Sequence, residues 1–350
     1  MKKKVIQNVI STVLVAMMIV GCGAKATPEG DSSTSDTTKS ASSDGNAATR
    51  TLQVGHVNPS KEDDQFQRYA VLFKENLEEI SDGAFAIEIM GDAQLGGDRD
   101  MLEGLQMGTL DMGLISNFTI GLFSPVFQVF NLPYIFETGE EAYAIFDDPE
   151  AMEPLREELY NSCNIQLLSF AEGGFRYMLN NVRPINTVAD MKDIKFRLPE
   201  SPIYVDTFKA LGSNPTTMPY TETFAAVQQG TVDGLEIPLG SIHSSGYYEI
   251  NDYLSMTEHF YSPIGVMLSR TVWDSLTDQE KQWFNEAAEK TTKEHRIFFA
   301  EVELKYLEDI AASGIEINEV ADKSEFREAV KPVIEAYREE FGGDILDRIK

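Results

Sequence analysis

The segment that decides the fold of this chain runs from residue 195 to residue 240 and reads KFRLPESPIYVDTFKALGSNPTTMPYTETFAAVQQGTVDGLEIPLG. It begins inside a short strand predicted over Ile194–Leu198. Helices are predicted over Ile203–Leu211 and Thr221–Gln229, and Gly230 ends the second of them. A strand followed by short, closely connected helices indicates an α/β unit.

Strands and helices alternate on the N-terminal side of this segment. Strands are predicted over Thr51–Val57, Ala84–Met90 and Leu110–Ile115, and helices over Asp63–Ile80 and Asp98–Met107. This alternation is the signature of a parallel α/β layer.

A long helix is predicted on the C-terminal side, over Asp278–Ala312. Thr277 followed three residues later by Glu280 matches a capping box at its start. The helix is long for a globular domain, so we expect it to span more than one structural unit. Further strands are predicted over 165–170, 176–180, 253–257, 264–269 and 315–317, and a last helix over 324–341.

The N-terminus reads as an export signal, predicted over residues 1–21. Lysines at 2–4 precede an apolar run over Val5–Val20, and Gly21-Cys22 follows. A membrane-spanning helix is the alternative, but the chain turns polar after Cys22 without a positive stop-transfer cluster. Gly21-Cys22 resembles a bacterial lipobox, which implies acylation of Cys22; a plain secretory signal with an incidental cysteine is the less favoured interpretation.

Residues 22–50 are predicted to form a lipidated, flexible tether. Ser, Thr, Asp, Gly and Ala dominate its sequence after Cys22, and large apolar residues are missing from it. Such a segment cannot bury enough surface to offset its chain entropy. The only other cysteine is Cys163, so an intramolecular disulfide is not expected once Cys22 is lipidated, and the fold must rely on its core.

The charge of the chain limits its partners. It carries 29 Lys and Arg against 57 Asp and Glu, a formal net charge of -28. This argues against nucleic acid and against an anionic membrane surface. An anionic ligand would need a local positive island in this negative field.

Sequence motifs for catalysis are missing. The chain contains no HExxH, CxxC, GxxxxGK[ST], GxGxxG or GxSxG. A two-carboxylate glycosidase stays open by counting, but no pair stands out. We therefore predict no catalytic residue, no metal site and no cofactor; an extracellular lipoprotein enzyme acting on cell-wall or polysaccharide material is the alternative function. The scattered histidines are His56, His243, His259 and His295.

Several motifs occur together in a fixed order. Within the deciding segment they are Lys195–Pro199 (KFRLP), Ala210–Gly212 (ALG), Pro215–Met218 (PTTM) and Ala226–Pro238 (AVQQGTVDGLEIP). Elsewhere they are Ala93–Met101, Leu105–Asp111, Asn131–Phe136, Gly173–Arg176 and Arg183–Ile185. In order and spacing they resemble the substrate-binding proteins of TRAP transporters (tripartite, ATP-independent, periplasmic), the DctP-type family, over residues 51–310.

This resemblance implies an α/β fold: a two-domain clamp like that of periplasmic binding proteins, with hinge strands and a long helix bridging both domains. Domain I would comprise residues 51–174 plus about 263–301, and domain II residues 175–262 plus about 302–350. It also implies a monomer, extracytoplasmic and lipid-anchored, that binds a small organic carboxylate and delivers it to integral membrane subunits. The ligand would be a sugar acid, such as a uronate or aldonate, or a dicarboxylate.

The resemblance also assigns ligand-binding residues. Arg197 would form a two-pronged salt bridge with the ligand carboxylate, for which a planar guanidinium is suited. Arg176 would line the same cleft, with a fold-stabilising ion pair as the alternative. Tyr220 would pack against the ligand, or only in the core, and Asp98 would approach ligand hydroxyls, or only cap a helix.

One position departs from the family pattern. The family usually reads E-N-P where this chain has Glu236-Ile237-Pro238. The family asparagine commonly hydrogen-bonds the carboxylate, which Ile237 cannot do. We expect either another donor or a ligand with an apolar portion near its carboxylate.

Overall fold

The computed structural model describes residues 49–341 and 344–349. The predicted signal peptide, Cys22 and all but the last two residues of the predicted tether lie outside these residues, so the interpretations made for them stay predictions. Among the helices within the described ranges, none is long and apolar enough to cross a membrane.

Two β-sheets organise the described chain. The first sheet has the strand order β2 (Phe85–Met90), β1 (Arg50–Gly55), β3 (Met112–Ser116), β10 (Ile264–Ser269) and β4 (Ile165–Ala171). The second has the order β11 (Glu316–Glu319), β9 (Tyr253–Met256), β5 (Arg176–Asn180), β8 (Gly234–Pro238), β6 (Phe196–Leu198) and β7 (Thr216–Thr217). We name the part built on the first sheet lobe I and the part built on the second lobe II.

Helices cover the faces of both sheets. In chain order they are α1 (Gln65–Ile80), α2 (Asp98–Met107), α3 (Asn117–Phe123), α4 (Gly139–Phe146), α5 (Pro149–Cys163), α6 (Pro202–Ala210), α7 (Tyr220–Gln228), α8 (Leu239–Ser245), α9 (Arg270–Ser275), α10 (Asp278–Ala312), α11 (Ser324–Phe341) and α12 (Asp344–Arg348). Short 3-10 helices lie at Pro125–Asn131, Val188–Met191 and Tyr247–Glu249.

The first sheet is mixed rather than purely parallel. β1 pairs in parallel with β2 and with β3, which confirms the parallel layer predicted for these strands. β10 pairs antiparallel with both β3 and β4. The alternation of strands and helices could not reveal this, because the chain leaves lobe I after β4 and returns from lobe II as β10.

Two extended segments connect the lobes in addition to helix α10, and they match the hinge strands that the resemblance implied. One lies between β4 and β5, the other between β9 and β10, and Phe175 and Tyr261 form a β-bridge between them. Gly173 allows this close approach, because a Cβ there would lie 1.9 Å from the carbonyl oxygen of Ser262.

Helix α10 bridges both lobes. It begins and ends where the sequence predicted, and Thr277 and Glu280 form the expected capping box. Phe284, near its start, packs in the apolar core of lobe I, whereas Tyr306, near its end, packs in the core of lobe II. The division of the chain into domains at residues 51–174 plus about 263–301, and 175–262 plus about 302–350, stays our proposal.

Candidate functional site

A small cavity lies between the lobes. A second pocket, of about 390 Å³, shares Asp98, Phe118, Arg197 and Tyr220 with this cavity. The cavity itself measures about 30 Å³, room for about one water molecule, so a ligand of several carbons can occupy it only if the lobes move apart. The residues singled out from the sequence, Arg197, Arg176, Tyr220, Asp98 and Ile237, all line it. Residues that the sequence did not single out complete the wall, chief among them Asn58, Gln65, Ser116, Ser241 and Ser262.

Arg197 is a buried cation that pairs with no carboxylate of the described residues. It lies in β6 and is 2% exposed. Its Nε and Nη2 atoms both donate to the carbonyl oxygen of Met218, at 3.1 and 2.7 Å. It makes no salt bridge with any carboxylate in the part of the chain that the structure describes. Nη1 and one hydrogen of Nη2 are left to form a two-pronged contact.

Burial makes this cation costly. It lowers the pKa of Arg197 to about 10, so the side chain still carries its charge at neutral pH. An uncompensated buried ion costs on the order of several kcal/mol. An anion in the cavity would offset that cost, and the chemistry of the site therefore favours an anionic ligand.

Arg176 lines the same cavity but already has a partner. Its Nε and Nη2 donate to the two carboxylate oxygens of Glu236, at 2.5 and 2.9 Å, and Nη2 also donates to the Glu236 backbone carbonyl at 2.8 Å. Nη1 donates to Ser262 at 3.1 Å. The fold-stabilising ion pair that the sequence left open is thus present, and one N–H of Nη1 is left for a ligand.

Glu236 is held ionised by this pair. Burial alone would raise its pKa, but the charge and hydrogen bonds of Arg176 and the Nε2 atom of His259, 3.3 Å from Oε2, lower the pKa of Glu236. Burial in turn lowers the pKa of His259. The sequence had shown Glu236 only as part of a family motif, and nothing in it revealed that Arg176 would be the partner.

Tyr220 is the first residue of α7, and its side chain is half-buried. Its hydroxyl lies 2.7 Å from the Ser245 Oγ atom, at the end of α8. The aromatic ring is therefore held at the cavity wall while its polar end is already hydrogen-bonded. This geometry suits apolar packing against a ligand better than a hydrogen bond to it.

Asp98 is the first residue of α2, and it is not the helix cap. Gly97 is the cap residue, and the carboxylate that accepts from its N–H is that of Asp100, at 2.9 Å; the capping role that the sequence suggested for Asp98 was wrong. Its Oδ1 atom is buried and has no hydrogen-bond partner among the described residues. Burial raises the pKa of Asp98 to about 6, against the opposing effect of Ser116 and of the charges of Arg197 and Arg176.

Ile237 lies in β8 and is 2% exposed. It faces the cavity and also packs in the apolar core of lobe II. The wall at this position offers a ligand only hydrocarbon, as expected from the sequence.

A second polar network joins the lobes beside the cavity. Asp64 caps α1 in lobe I and accepts hydrogen bonds from Ser244 of α8, at 2.7 Å, and from Asn58, at 2.8 Å. Lys61 donates to the carbonyl oxygen of Ser244 at 2.6 Å. Burial raises the pKa of Asp64 to about 6, against the effect of these hydrogen bonds. These contacts hold the lobes in the closed arrangement.

Side chains that could bind a metal ion are not grouped in the described part of the chain. Within residues 49–341 and 344–349, no three His, Cys, Asp or Glu side chains are placed to share a metal ion. His56, His259 and His295 are buried, and each has a hydrogen-bonding or ionic partner.

Comparison with known proteins identifies a family and relatives that cover most of the chain. The profile of the bacterial extracellular solute-binding proteins, family 7, matches residues 54–340. A solute-binding protein of Verminephrobacter eiseniae is 30% identical over 295 residues, which cover 84% of this chain and 88% of that protein.

Solved structures are similar over the same region. A TRAP periplasmic solute-binding protein of Polaromonas sp. JS666 bound to D-erythronate has a TM-score of 0.82 and 32% identity, covering 86% of this chain and 98% of that one. A sugar acid-binding protein of Advenella mimigardefordensis in complex with galactonate has a TM-score of 0.81 and 28% identity, with coverage of 86% and 98%.

Proposed function

This chain belongs to the bacterial extracellular solute-binding proteins of family 7, and from that premise we propose that it captures a small sugar acid between its lobes and delivers it to the membrane subunits of a TRAP transporter. The observation that carries the proposal is Arg197, a buried guanidinium in the interlobe cavity without a carboxylate partner among the described residues. A ligand carboxylate is the group that would compensate it.

The choice of ligand class is supported by the relatives. The Polaromonas protein binds D-erythronate and the Advenella protein binds galactonate. Both ligands carry one carboxylate and several hydroxyl groups. The cavity of this chain offers the matching groups, with Arg197 for the carboxylate and Asp98, Ser116 and Gln65 for polar contacts. The family consists of receptors, and we propose no catalytic activity.

Each residue has a proposed part in binding. Arg197 is the principal anchor, with Nη1 and Nη2 on the two carboxylate oxygens. Arg176 adds positive potential and one remaining N–H, its other donors being used by Glu236 and Ser262. Tyr220 packs against the carbon skeleton, and Ile237 lies against an apolar part of the ligand near its carboxylate. Asp98 accepts from a ligand hydroxyl.

Binding requires the two lobes to open and close. The cavity of about 30 Å³ is smaller than any such acid, so we propose an open state for entry, with motion at the two extended segments that connect the lobes. Closure restores the contacts of Asp64 with Ser244. The closed surface is what the membrane subunits would recognise.

We further propose that the protein is a monomer held at the outer face of the membrane by acylation of Cys22. The support is in the sequence: a basic start, an apolar run over Val5–Val20 and Gly21-Cys22 in register. The tether over residues 22–50 would then give the binding lobes reach from the membrane.

The function is tested with purified protein and a panel of uronates, aldonates and dicarboxylates. We expect at least one sugar acid to raise the melting temperature and to bind in a 1:1 ratio by calorimetry without being turned over. Matched sugars that carry an alcohol in place of the carboxylate should not bind. Binding of the neutral sugars as tightly as of the acids would contradict the proposal.

A further inference from the structure

We propose that Gln65 accepts a hydrogen bond from a hydroxyl group of the ligand, so that the cleft binds polyhydroxy monocarboxylates in preference to dicarboxylates. The inference rests on the function proposed above and narrows its ligand class. It starts from the amide of Gln65, which is fully buried at the first position of α1 and faces the interlobe cavity.

One end of this amide has a hydrogen-bond partner in the described part of the chain and the other has none there. Nε2 donates to the Oγ atom of Ser241 at 3.2 Å, whereas Oε1 is buried and no group within residues 49–341 and 344–349 donates to it. Leaving a buried polar atom unpaired is unfavourable. A ligand hydroxyl in the cavity would pair with it.

The position of the amide is enforced by its neighbours. A Cβ at Gly240 would lie 1.6 Å from Oε1 of Gln65, so glycine is what allows the amide to lie there. Ser241 also accepts from Nδ2 of Asn58 at 3.1 Å. Gln65 and Asn58 belong to lobe I and Ser241 belongs to α8 in lobe II, so the amide is fixed only when the lobes are closed.

The cavity wall presents a second oxygen acceptor. Asp98 lines the same cavity as Gln65, and its Oδ1 atom is also buried, with no hydrogen-bond partner among the described residues. A hydroxyl group can donate to either oxygen. A second ligand carboxylate would instead meet the acceptors of Gln65 and Asp98, one of them a carboxyl group, without a proton to donate. The cavity therefore offers Arg197 and one remaining N–H of Arg176 to one carboxylate, and the acceptors of Gln65 and Asp98 to hydroxyl groups.

Two matched sets of probes test this inference by calorimetry. The first is D-erythronate, butyrate and meso-tartrate, which share a four-carbon chain: butyrate lacks the hydroxyl groups, and meso-tartrate has a carboxylate in place of the terminal alcohol. The second is galactonate and galactarate, in which the terminal alcohol is replaced by a carboxylate. We expect wild-type protein to bind the hydroxylated monocarboxylate of at least one set roughly tenfold or more tightly than its dicarboxylate.

The variants Q65L and Q65E distinguish an effect on ligand recognition from an effect on folding. Q65L should lose roughly ten- to a hundredfold in affinity for the hydroxylated acid, and the ratio to its dicarboxylate should fall accordingly. Q65E keeps an oxygen acceptor, so it should retain the preference and reject dicarboxylates further. Q128L is the control, because Gln128 is a buried amide of lobe I with partners at both ends, Gly121 and Asn131, outside the cavity; its ratio should equal that of wild type.

Failure of the inference and failure of the function give different results. If wild type binds none of the acids, the function and the inference fall together. If sugar acids bind but the matching dicarboxylate binds equally well, or Q65L leaves the ratio unchanged, the inference is overturned while the function stands. If Q65L does not fold, the ratio measured with Q65E decides, and loss of the preference in a folded Q65E overturns the inference.

Discussion

Arg176 and Glu236 form a two-pronged ion pair between the neighbouring strands β5 and β8, with Nε–Oε2 and Nη2–Oε1 distances of 2.5 and 2.9 Å. Both side chains are almost fully buried. Because of this pair, the two arginines of the cavity differ in how far the protein compensates their charge. Arg176 is largely neutralised by the protein, whereas Arg197 keeps a charge that a ligand can use.

Truncation of Arg197 should therefore weaken ligand binding strongly and leave the free protein folded. We expect R197A to lose about 2–5 kcal/mol, roughly thirtyfold to several thousandfold in affinity, and R197K to recover only part of this because it lacks the planar fork. Calorimetry and melting curves measure both effects. R183A, which removes a lobe II arginine that does not line the cavity, is the charge-matched control. Near-wild-type affinity in a folded R197A would move the anchor to Arg176.

Removal of either partner of the buried ion pair should instead destabilise the fold. We expect R176M and E236L each to lose about 3–5 kcal/mol of unfolding free energy, because the remaining charge is left buried and unpaired. The double variant should lose much less than the sum. Denaturant titration of the three variants gives the coupling free energy. Additive losses would mean that the pair contributes little.

Asp64 should make stability depend on pH in an identifiable direction. Its pKa is raised from 3.8 to about 6, so between these values the folded state keeps a proton that the unfolded state has lost. The contribution of protonated Asp64 to the free energy of unfolding is fully present below pH 3.8 and is lost as the pH rises through about 6. The melting temperature of D64N, relative to that of wild type, should therefore be higher at pH 7 than at pH 5.

Asp190 is a control for this measurement, because its pKa is shifted in the opposite direction. Burial would raise the pKa of Asp190, but hydrogen bonds from Asn186 and Thr187 outweigh it and lower that pKa. Its contribution is present above the ordinary aspartate pKa and is lost as the pH falls. D190N should thus differ from wild type less in strong acid than near neutrality. Parallel pH profiles of D64N and wild type would exclude the role given to Asp64.

Substitution of Ile237 should change which ligands are preferred. I237N introduces an amide at the cavity wall, so it should favour ligands with more polar groups next to the carboxylate. L235N is a matched control on the same face of β8, because Leu235 is equally buried but does not line the cavity; it should lower stability without changing the ranking. A uniform loss of affinity for every ligand in I237N would assign Ile237 to packing alone.

Acylation of Cys22 is tested outside the binding lobes. C22S lacks the thiol that would carry the lipid, so it should appear in the aqueous phase of a detergent partition, whereas wild type enters the detergent phase. Ligand binding by the two proteins should be identical. Equal partitioning of C22S and wild type would exclude the lipid anchor.

The sequence alone determined the features that depend on nearby residues. The start of α10 at Asp278 follows from Thr277 and Glu280, which lie within one turn of each other. The ordered motifs from Ala93 to Pro238 identified the family, and with it the arginines of the cavity. The mixed sheet was missed, because its antiparallel pairing depends on where β10 returns from lobe II.

Only the tertiary structure decided which groups of the site are already paired and which are free. Gln65 meets Ser241 across 176 positions of sequence, and Arg176 meets Glu236 across 60. Local patterns carry no information about such contacts, because the cavity is assembled from strand ends and helix starts of two lobes. Pairing and burial set the free energy of a charge, so the sequence could supply two arginines, but folding makes one of them structural and leaves the other for a ligand.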